Sequence, residues 1–310
     1  MLTSFFGKSK PINFLIVSLY LITGYVLWVF TGHGEIINFQ IILKHLLFAS
    51  LYLFSLFLFD FINRKNGLTK TNTYSILLFC CFIVMIPVIF SDRNILISNL
   101  FLLFALRRIL SLSSEKKINK KILDASLWIT VASLFYFWSL LFFIILFIAI
   151  LQKTSKNYRQ VLIPFIGFFT VFTLITSYQI LWNDSFLWFL NLDTTIGTDF
   201  KEYKSLSIFI PILVISTLII WTLINRFLMF SSILKKNKPN YIIMVIVLMT
   251  SILITMLTNE KTGAELFFII APLAIITANY IENSMTYWFK ELLLWSVVFL
   301  PVFILYFIES

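Results

Sequence analysis

The chain has 310 residues, of which 60% are apolar and 12% are charged, and its mean hydropathy is +0.97. A soluble domain has about 45–50% apolar and ~25% charged residues. A soluble fold cannot bury so much apolar side chain, which excludes soluble enzymes, secreted disulfide scaffolds, disordered tails and nucleic-acid modules. The net charge of +10 is therefore interpreted by its position relative to a membrane.

Apolar stretches long enough to cross a bilayer recur along the chain. A hydrocarbon core about 30 Å thick needs roughly 20 apolar residues per helix. The first stretch is too long for a signal peptide and lacks an A-x-A cleavage site, so it is predicted to be an uncleaved span. The sequence predicts an all-α, polytopic transmembrane helix bundle that forms a single integral membrane domain over residues 1–310. The stretches cover residues 11–31, 39–63, 74–90, 95–112, 122–151, 161–182, 206–228, 241–257, 266–281 and 292–308.

The stretch 122–151 decides the predicted topology. As one helix it would be about 45 Å long. It would also place the basic loop 116–121 and the basic loop 153–159 on opposite sides, whereas positive loops usually share the cytoplasmic side. Two short spans that turn near residues 136–138 satisfy this rule and give 11 spans. A single tilted helix, which gives 10 spans, is the alternative.

The distribution of Lys and Arg predicts the orientation. With 11 spans and a cytoplasmic N-terminus, nineteen Lys and Arg residues lie inside and four lie outside. This bias is typical of the bacterial cytoplasmic (inner) membrane, in which the chain is predicted to be multi-pass. Lys44 falls within a span. The four outer cations are Arg93, Lys201, Lys204 and Lys261.

Known catalytic motifs are missing from the sequence. The chain has no P-loop, dinucleotide-binding, zinc-protease or nucleophile-elbow motif, which excludes an ATP-driven motor within this chain. Its two His residues and its adjacent Cys80 and Cys81 offer few metal ligands, so no metal site is predicted. The cofactor stays open, with a divalent cation between an acid and a phosphate as one option.

Polar residues follow the predicted outer ends of several spans. Glu35 comes after the first span, and Asp92 and Arg93 lie between the third and fourth spans. Lys44 and His45 are predicted at the same depth. These groups are predicted to converge on one outer pocket; the alternatives are solvated turns and, for Lys44, a side chain that snorkels to the interface.

Three segments resemble the GT-C-type membrane glycosyltransferases. Residues 91–108 (SDRNILISNLFLLFALRR) look like the second outer loop and the following span, and residues 123–151 look like the short hairpin of spans. Residues 265–280 (ELFFIIAPLAIITANY) resemble the late span, with Glu265-Leu266 where those enzymes usually carry an Arg before an aromatic residue. The whole chain also resembles an uncharacterised inner-membrane family from flavobacteria, which implies no activity.

The resemblance implies a glycosyltransferase that takes a sugar from a polyprenyl-phosphate donor on the outer face. Glu35 or Asp92 would be the general base for the acceptor hydroxyl, and Lys44, His45 and Arg93 would bind the phosphate. The predicted partners are the lipid bilayer, this donor and a membrane protein, but no nucleic acid.

Two further functions stay open. One is a non-catalytic scaffold or assembly subunit of envelope biogenesis. The other is a transporter, for which the available polar residues within spans are Ser98, Asn99 and Ser133.

Overall fold

The computed structural model describes most of the chain and shows that it is helical. Glu35 lies outside the described part, so its predicted convergence with Asp92 stays a prediction. No strand occurs among the described residues. These residues are 2–32, 39–114, 116–152, 158–197, 199–235, 237–259, 261–283 and 286–307.

Most of the described helices are apolar and long. Eight are long and apolar enough to cross a membrane, and two shorter apolar helices accompany them. A multi-pass helical membrane protein is thus confirmed, whereas the 11 spans and the GT-C arrangement stay predictions. The α-helices of the described chain are α1 (Leu2–Phe6), α2 (Pro11–Gly32), α3 (Phe39–Asn66), α4 (Tyr74–Val84), α5 (Arg93–Leu110), α6 (Ile118–Phe135), α7 (Phe142–Leu151), α8 (Arg159–Asn183), α9 (Leu206–Leu228), α10 (Lys238–Leu257), α11 (Phe267–Asn283) and α12 (Tyr287–Phe307).

The long helices differ in how much of their surface the protein covers. Only 22% of the apolar window of α2 and 17% of that of α8 is buried, although both are apolar all round. The segment that contains α11 is 89% buried. An apolar helix that the protein leaves uncovered is stable in lipid, because its backbone groups are satisfied within the helix.

The third predicted span is shorter as a helix than its apolar stretch. All eleven residues of α4 are buried, but the helix ends at Val84. Pro87 explains this end, because a residue before proline avoids the helical region. Ile86 is extended (φ −122°, ψ 81°), and a 3-10 turn follows over Pro87–Phe90. At 1.5 Å per residue, α4 covers about 16 Å, half of a bilayer core.

The stretch 122–151 is interrupted at the place where its turn was predicted. Helix α6 ends at Phe135, and Tyr136 is extended (φ −148°, ψ 104°). A 3-10 turn over Phe137–Leu141 leads into α7. The two helices on either side of Tyr136 are the segments that the hairpin requires, and their separate crossing of the membrane stays a prediction.

The chain divides into two compact units. Unit 1 holds α1 to α4, α9, α11 and α12, together with the first residues of α5. Unit 2 holds the rest of α5 and α6, α7, α8 and α10. Their bounds are Met1–Leu96, Phe200–Ile233 and Lys261–Ser310 for unit 1, and Ile97–Asp199 and Leu234–Glu260 for unit 2.

In unit 1, α11 packs against α4 and α9, and polar side chains tie several helix ends together. Asn13 Nδ2 donates to Thr73 Oγ1 (2.8 Å), which joins the starts of α2 and α4. At the start of α12, Glu291 Oε1 accepts a hydrogen bond from Leu2 N (2.6 Å). Arg64, near the end of α3, pairs with Asp60 at 2.8 Å. We call this end of unit 1 the Arg64 end; it also carries Lys8, Lys10, Lys65, Lys70 and Lys290.

Candidate functional site

At the opposite end of unit 1, α2 and α3 are joined by a polar contact between two rings. Tyr25 Oη and His45 Nδ1 are hydrogen-bonded at 2.9 Å. His45 is half-buried, and the two ring centroids are 6.0 Å apart. The bond fixes the orientation of the His45 ring, one of the predicted phosphate-binding groups. This end of unit 1 carries Arg93 as well, and we call it the Arg93 end.

Three aromatic rings pack together beside this contact. The centroid of the Phe90 ring lies 5.2 Å from that of Tyr25 and 5.0 Å from that of Tyr52, both edge-on. Tyr52 Oη donates to the carbonyl oxygen of Ile89 at 2.7 Å. We call Tyr25, Tyr52 and Phe90 the Tyr25 cluster. All three side chains are buried, with exposed fractions of 4%, 2% and 6%, so the cluster belongs to the core of unit 1 and anchors the helix ends around it.

Asp92 has a structural partner at the start of α5. Its Oδ1 accepts hydrogen bonds from the backbone N of Asn94 (2.8 Å) and of Ile95 (3.1 Å), as an N-cap does. No described residue of the chain hydrogen-bonds its Oδ2. Asp92 follows Phe90 by two residues, so this carboxylate, a predicted general base, lies near the Tyr25 cluster.

Arg93 reaches the same neighbourhood from the first position of α5. Its side chain is exposed, and its guanidinium carbon lies 5.2 Å from the centroid of the Phe48 ring. Arg93 also acts electrostatically on Tyr25. Three of the predicted site residues, His45, Asp92 and Arg93, thus lie around one aromatic cluster.

The other two predicted residues are not brought to this cluster by any described contact. Lys44 is half-buried on α3, and no hydrogen bond or ion pair joins it to the described residues. Glu35 lies outside the described part of the chain. Both assignments stay predictions.

A buried acid near the same end was not predicted as a site residue. Glu265 is fully buried in the 3-10 turn Ala264–Leu266 that leads into α11. Its Oε1 accepts a hydrogen bond from Tyr203 Oη. Its Oε2 accepts hydrogen bonds from the backbone N of Gly263 (2.9 Å) and from Thr262 Oγ1 (3.3 Å). Gly263 adopts φ +94°, a conformation that favours glycine and allows the chain to turn back over this carboxylate.

A buried cation accompanies Glu265. Lys261 is only 3% exposed, and its Nζ lies 4.7 Å from the centroid of the Phe200 ring. Burial lowers the pKa of Lys261, and the charge of Glu265 opposes that effect. In the sequence both residues look like ordinary loop charges, because their burial depends on segments far away along the chain.

The Glu265 turn packs against the Tyr25 cluster. The 3-10 turns Pro87–Phe90 and Ala264–Leu266 contact each other. The centroid of the Phe267 ring lies 5.9 Å from that of Tyr52. Two carboxylates, Asp92 and Glu265, therefore border the same aromatic cluster. One signal for Glu265 was present in the sequence, namely an acid at the head of an apolar stretch where the resemblance expects Arg.

The described residues contain no group of three His, Cys, Asp or Glu side chains that could hold a metal ion. Cys80 and Cys81 are both buried in α4, and the thiol of Cys80 contacts the carbonyl oxygen of Val17 at 3.3 Å. These cysteines therefore have a packing role. The divalent cation considered from the sequence stays an open expectation.

Comparison with known proteins gives one relationship. No curated protein and no solved structure matches the chain. A protein-family model matches residues 8–310, nearly the whole length. The chain therefore belongs to the family described as "Family of unknown function (DUF6427)".

Proposed function

We propose that this chain is a GT-C-like membrane glycosyltransferase that uses a polyprenyl-phosphate sugar donor on the outer face of the bacterial cytoplasmic membrane. The observation that carries the proposal is the grouping of His45, Asp92 and Arg93 around the Tyr25 cluster. A glycosyl-transfer site needs a cation and a carboxylate held close together, and the buried cluster anchors the helix ends that carry them.

The charges in this group suit a phosphate leaving group. A guanidinium binds phosphate oxygens through charge-assisted hydrogen bonds, and the exposed Arg93 has its donors available at the surface of unit 1. His45 adds a second positive charge when its ring is protonated. Asp92 Oδ2 can accept a proton while Oδ1 caps α5.

The surroundings of His45 suit a donor with a long apolar chain. Leu43 and Leu46 are 57% and 65% exposed on α3, and both lie within two residues of His45 in the sequence. In a bilayer such residues contact lipid. A polyprenyl chain can therefore lie along α3 while its phosphate reaches Arg93.

A second candidate is a non-catalytic assembly subunit. The contacts of Asp92 with α5 and of Arg93 with Phe48 favour it, because each also has a structural explanation. The transporter has less support, since two of its three candidate polar groups are engaged locally; the third, the buried Asn99, has no hydrogen-bond partner for its Nδ2 among the described residues. Ser98 Oγ is hydrogen-bonded to Ser139 Oγ at 2.6 Å, and Ser133 Oγ donates to Thr130 O at 2.7 Å.

Binding of undecaprenyl phosphate to the protein in lipid nanodiscs tests the proposal. We expect saturable binding that inorganic phosphate does not compete away, because the lipid chain contributes to affinity. Arg93→Gln should weaken binding about tenfold or more, since a charge-assisted contact is lost. Arg64→Gln is the matched control at the Arg64 end and should bind as the wild type does.

Transfer is measured separately from binding. Proteoliposomes receive radiolabelled polyprenyl-phosphate mannose, glucose or galactose together with a cell-envelope fraction as the acceptor. Incorporation of one of these sugars supports the transferase. Binding without incorporation supports the assembly subunit, and the absence of both refutes a polyprenyl-phosphate site.

A further inference from the structure

Helix α11 has an acid near each end, the fully buried Glu265 and the half-buried Glu282, and the two have different partners. Glu282 Oε1 accepts hydrogen bonds from the backbone N of Lys70 (2.9 Å) and from Asn72 Nδ2 (2.6 Å) at the Arg64 end. It ties a loop to the end of the helix, which is a structural role. Glu265 is instead bound by Tyr203 Oη, a group that can exchange its proton.

Fold stability does not account for the placement of Glu265. Removing a carboxylate from water costs free energy that three hydrogen bonds, from neutral donors, offset only in part. A neutral Gln can accept hydrogen bonds at the same position. Ionisable groups buried in membrane proteins more often serve a pathway or a reaction, which makes Glu265 a candidate for chemistry.

Tyr203 connects Glu265 to the surface of unit 1. It lies in the 3-10 turn Glu202–Lys204, just before α9, and its side chain is half-buried. The ring packs edge-on against Phe200, with the centroids 5.8 Å apart. The Tyr203 hydroxyl contacts the buried carboxylate of Glu265, and the ring that carries it is partly exposed at the surface of unit 1.

A buried cation lies close enough to the turn to act on this carboxylate. Lys261 interacts with the charge of Glu265, so a protonated Lys261 opposes the cost of burying the ionised carboxylate.

We propose that Tyr203 and Glu265, in place of the general base Asp92 that the sequence predicts, form the proton-accepting pair for the sugar acceptor. This inference rests on the proposed transferase function. In this pair Tyr203 is the catalytic residue, because its hydroxyl takes the proton directly from the acceptor hydroxyl. Glu265 is the positioning residue behind it.

The step is a nucleophilic substitution at the sugar. The acceptor oxygen forms a bond to the anomeric carbon, and the bond from that carbon to the phosphate oxygen breaks. The polyprenyl phosphate leaves with the electron pair. The proton of the acceptor hydroxyl passes to Tyr203 Oη while the proton of Tyr203 passes to Glu265 Oε1.

The test compares two pairs of substitutions in the full chain in proteoliposomes. Tyr203→Phe removes the hydroxyl and keeps the ring on Phe200, and Glu265→Gln keeps the size and removes the charge. The matched controls at the Arg64 end are Tyr74→Phe, which loses a hydrogen bond to Thr3 O, and Glu282→Gln. Transfer from the three radiolabelled donors and the Kd for undecaprenyl phosphate are measured for each.

We expect Tyr203→Phe and Glu265→Gln each to lower the transfer rate about 100-fold or more, the size of a general acid–base contribution. The Kd should stay within about twofold of the wild type, because a proton acceptor is separate from the phosphate ligands. Folded Tyr74→Phe and Glu282→Gln proteins should keep the wild-type rate.

Tyr203→Phe at the wild-type rate would overturn the inference and leave the transferase intact. Tyr203→Phe also decides the case if Glu265→Gln does not fold, since it preserves the ring packing. Failure of the proposed function is seen in the wild type alone, which would show no transfer whether or not it binds undecaprenyl phosphate, and the inference would fall with it.

Discussion

Gly167 of α8 faces Ser126 of α6 at a close helix contact in unit 2. A Cβ atom on Gly167 would lie 1.9 Å from Ser126 Oγ and 2.8 Å from Ser126 Cβ. Only glycine fits there without displacing its neighbour. Small residues that let backbones approach are a common way to associate helices in membranes, where dispersion contacts replace the hydrophobic effect.

Gly167→Ala should therefore destabilise the protein by about 1–3 kcal/mol, the usual cost of overpacking. Its thermal unfolding in detergent should begin at a lower temperature. The double variant Gly167→Ala with Ser126→Gly should recover most of the loss, because the clashing atoms are removed. Leu174→Ala on the exposed side of α8 is the control and should stay within about 0.5 kcal/mol of the wild type. An unchanged Gly167→Ala protein would contradict the packing.

The hydroxyl of Tyr52 should contribute to stability as well as to the site. Tyr52→Phe removes the donor to Ile89 O and leaves a buried carbonyl unsatisfied, at a cost of about 1–3 kcal/mol. Tyr178→Phe changes a residue that is 53% exposed and should have little effect. Equal unfolding temperatures for the two variants would show that the Tyr52 bond is not formed.

The hairpin topology is testable by cysteine accessibility. Single cysteines at positions 113–120 and 153–159 should react with a membrane-impermeant reagent from the same side, the cytoplasmic one. The background protein carries Cys80→Ala and Cys81→Ala, which remove the two buried native thiols. Labelling of the two loops from opposite sides would reduce the predicted 11 spans to 10.

Lys44 is expected to be dispensable for binding. Because no described residue pairs with it, Lys44→Met removes a charge near lipid and should leave stability equal or higher. The Kd for undecaprenyl phosphate should not change. A folded Lys44→Met protein with clearly weaker binding would assign Lys44 to the phosphate site, as the sequence predicts.

Lys261 should make stability depend on pH. Its folded pKa is lowered from 10.5 by burial, so the unfolded state binds more protons in the pH range just below that value. The free energy of unfolding should therefore rise as pH increases through this range. Lys261→Met should remove the rise, whereas the exposed Lys204→Met should keep it. Unfolding temperatures measured from pH 8 upward check this, and an identical slope in Lys261→Met would contradict it.

Local sequence determined the class of this protein and the places where its helices break. Apolar stretches predict helices in lipid because each helix satisfies its own backbone, whatever it packs against. The interruption at Tyr136 follows from a stretch that is too long for one span. The early end of α4 before Pro87 also has a local cause, although the sequence prediction extended that span to residue 90.

The tertiary structure alone decided which polar residues meet. Phe90 packs against Tyr25 and Tyr52, and Tyr203 meets Glu265, over separations that no local pattern records. In the sequence, Asp92 and Glu265 both stand at the ends of apolar stretches, and no local pattern indicates which of them is buried. The two acids differ in burial. The turn Ala264–Leu266 packs against Pro87–Phe90, and Glu265 within it is fully buried. Asp92 lies just before α5 and is half-buried. Such burial depends on contacts between distant segments, which composition and spacing do not contain.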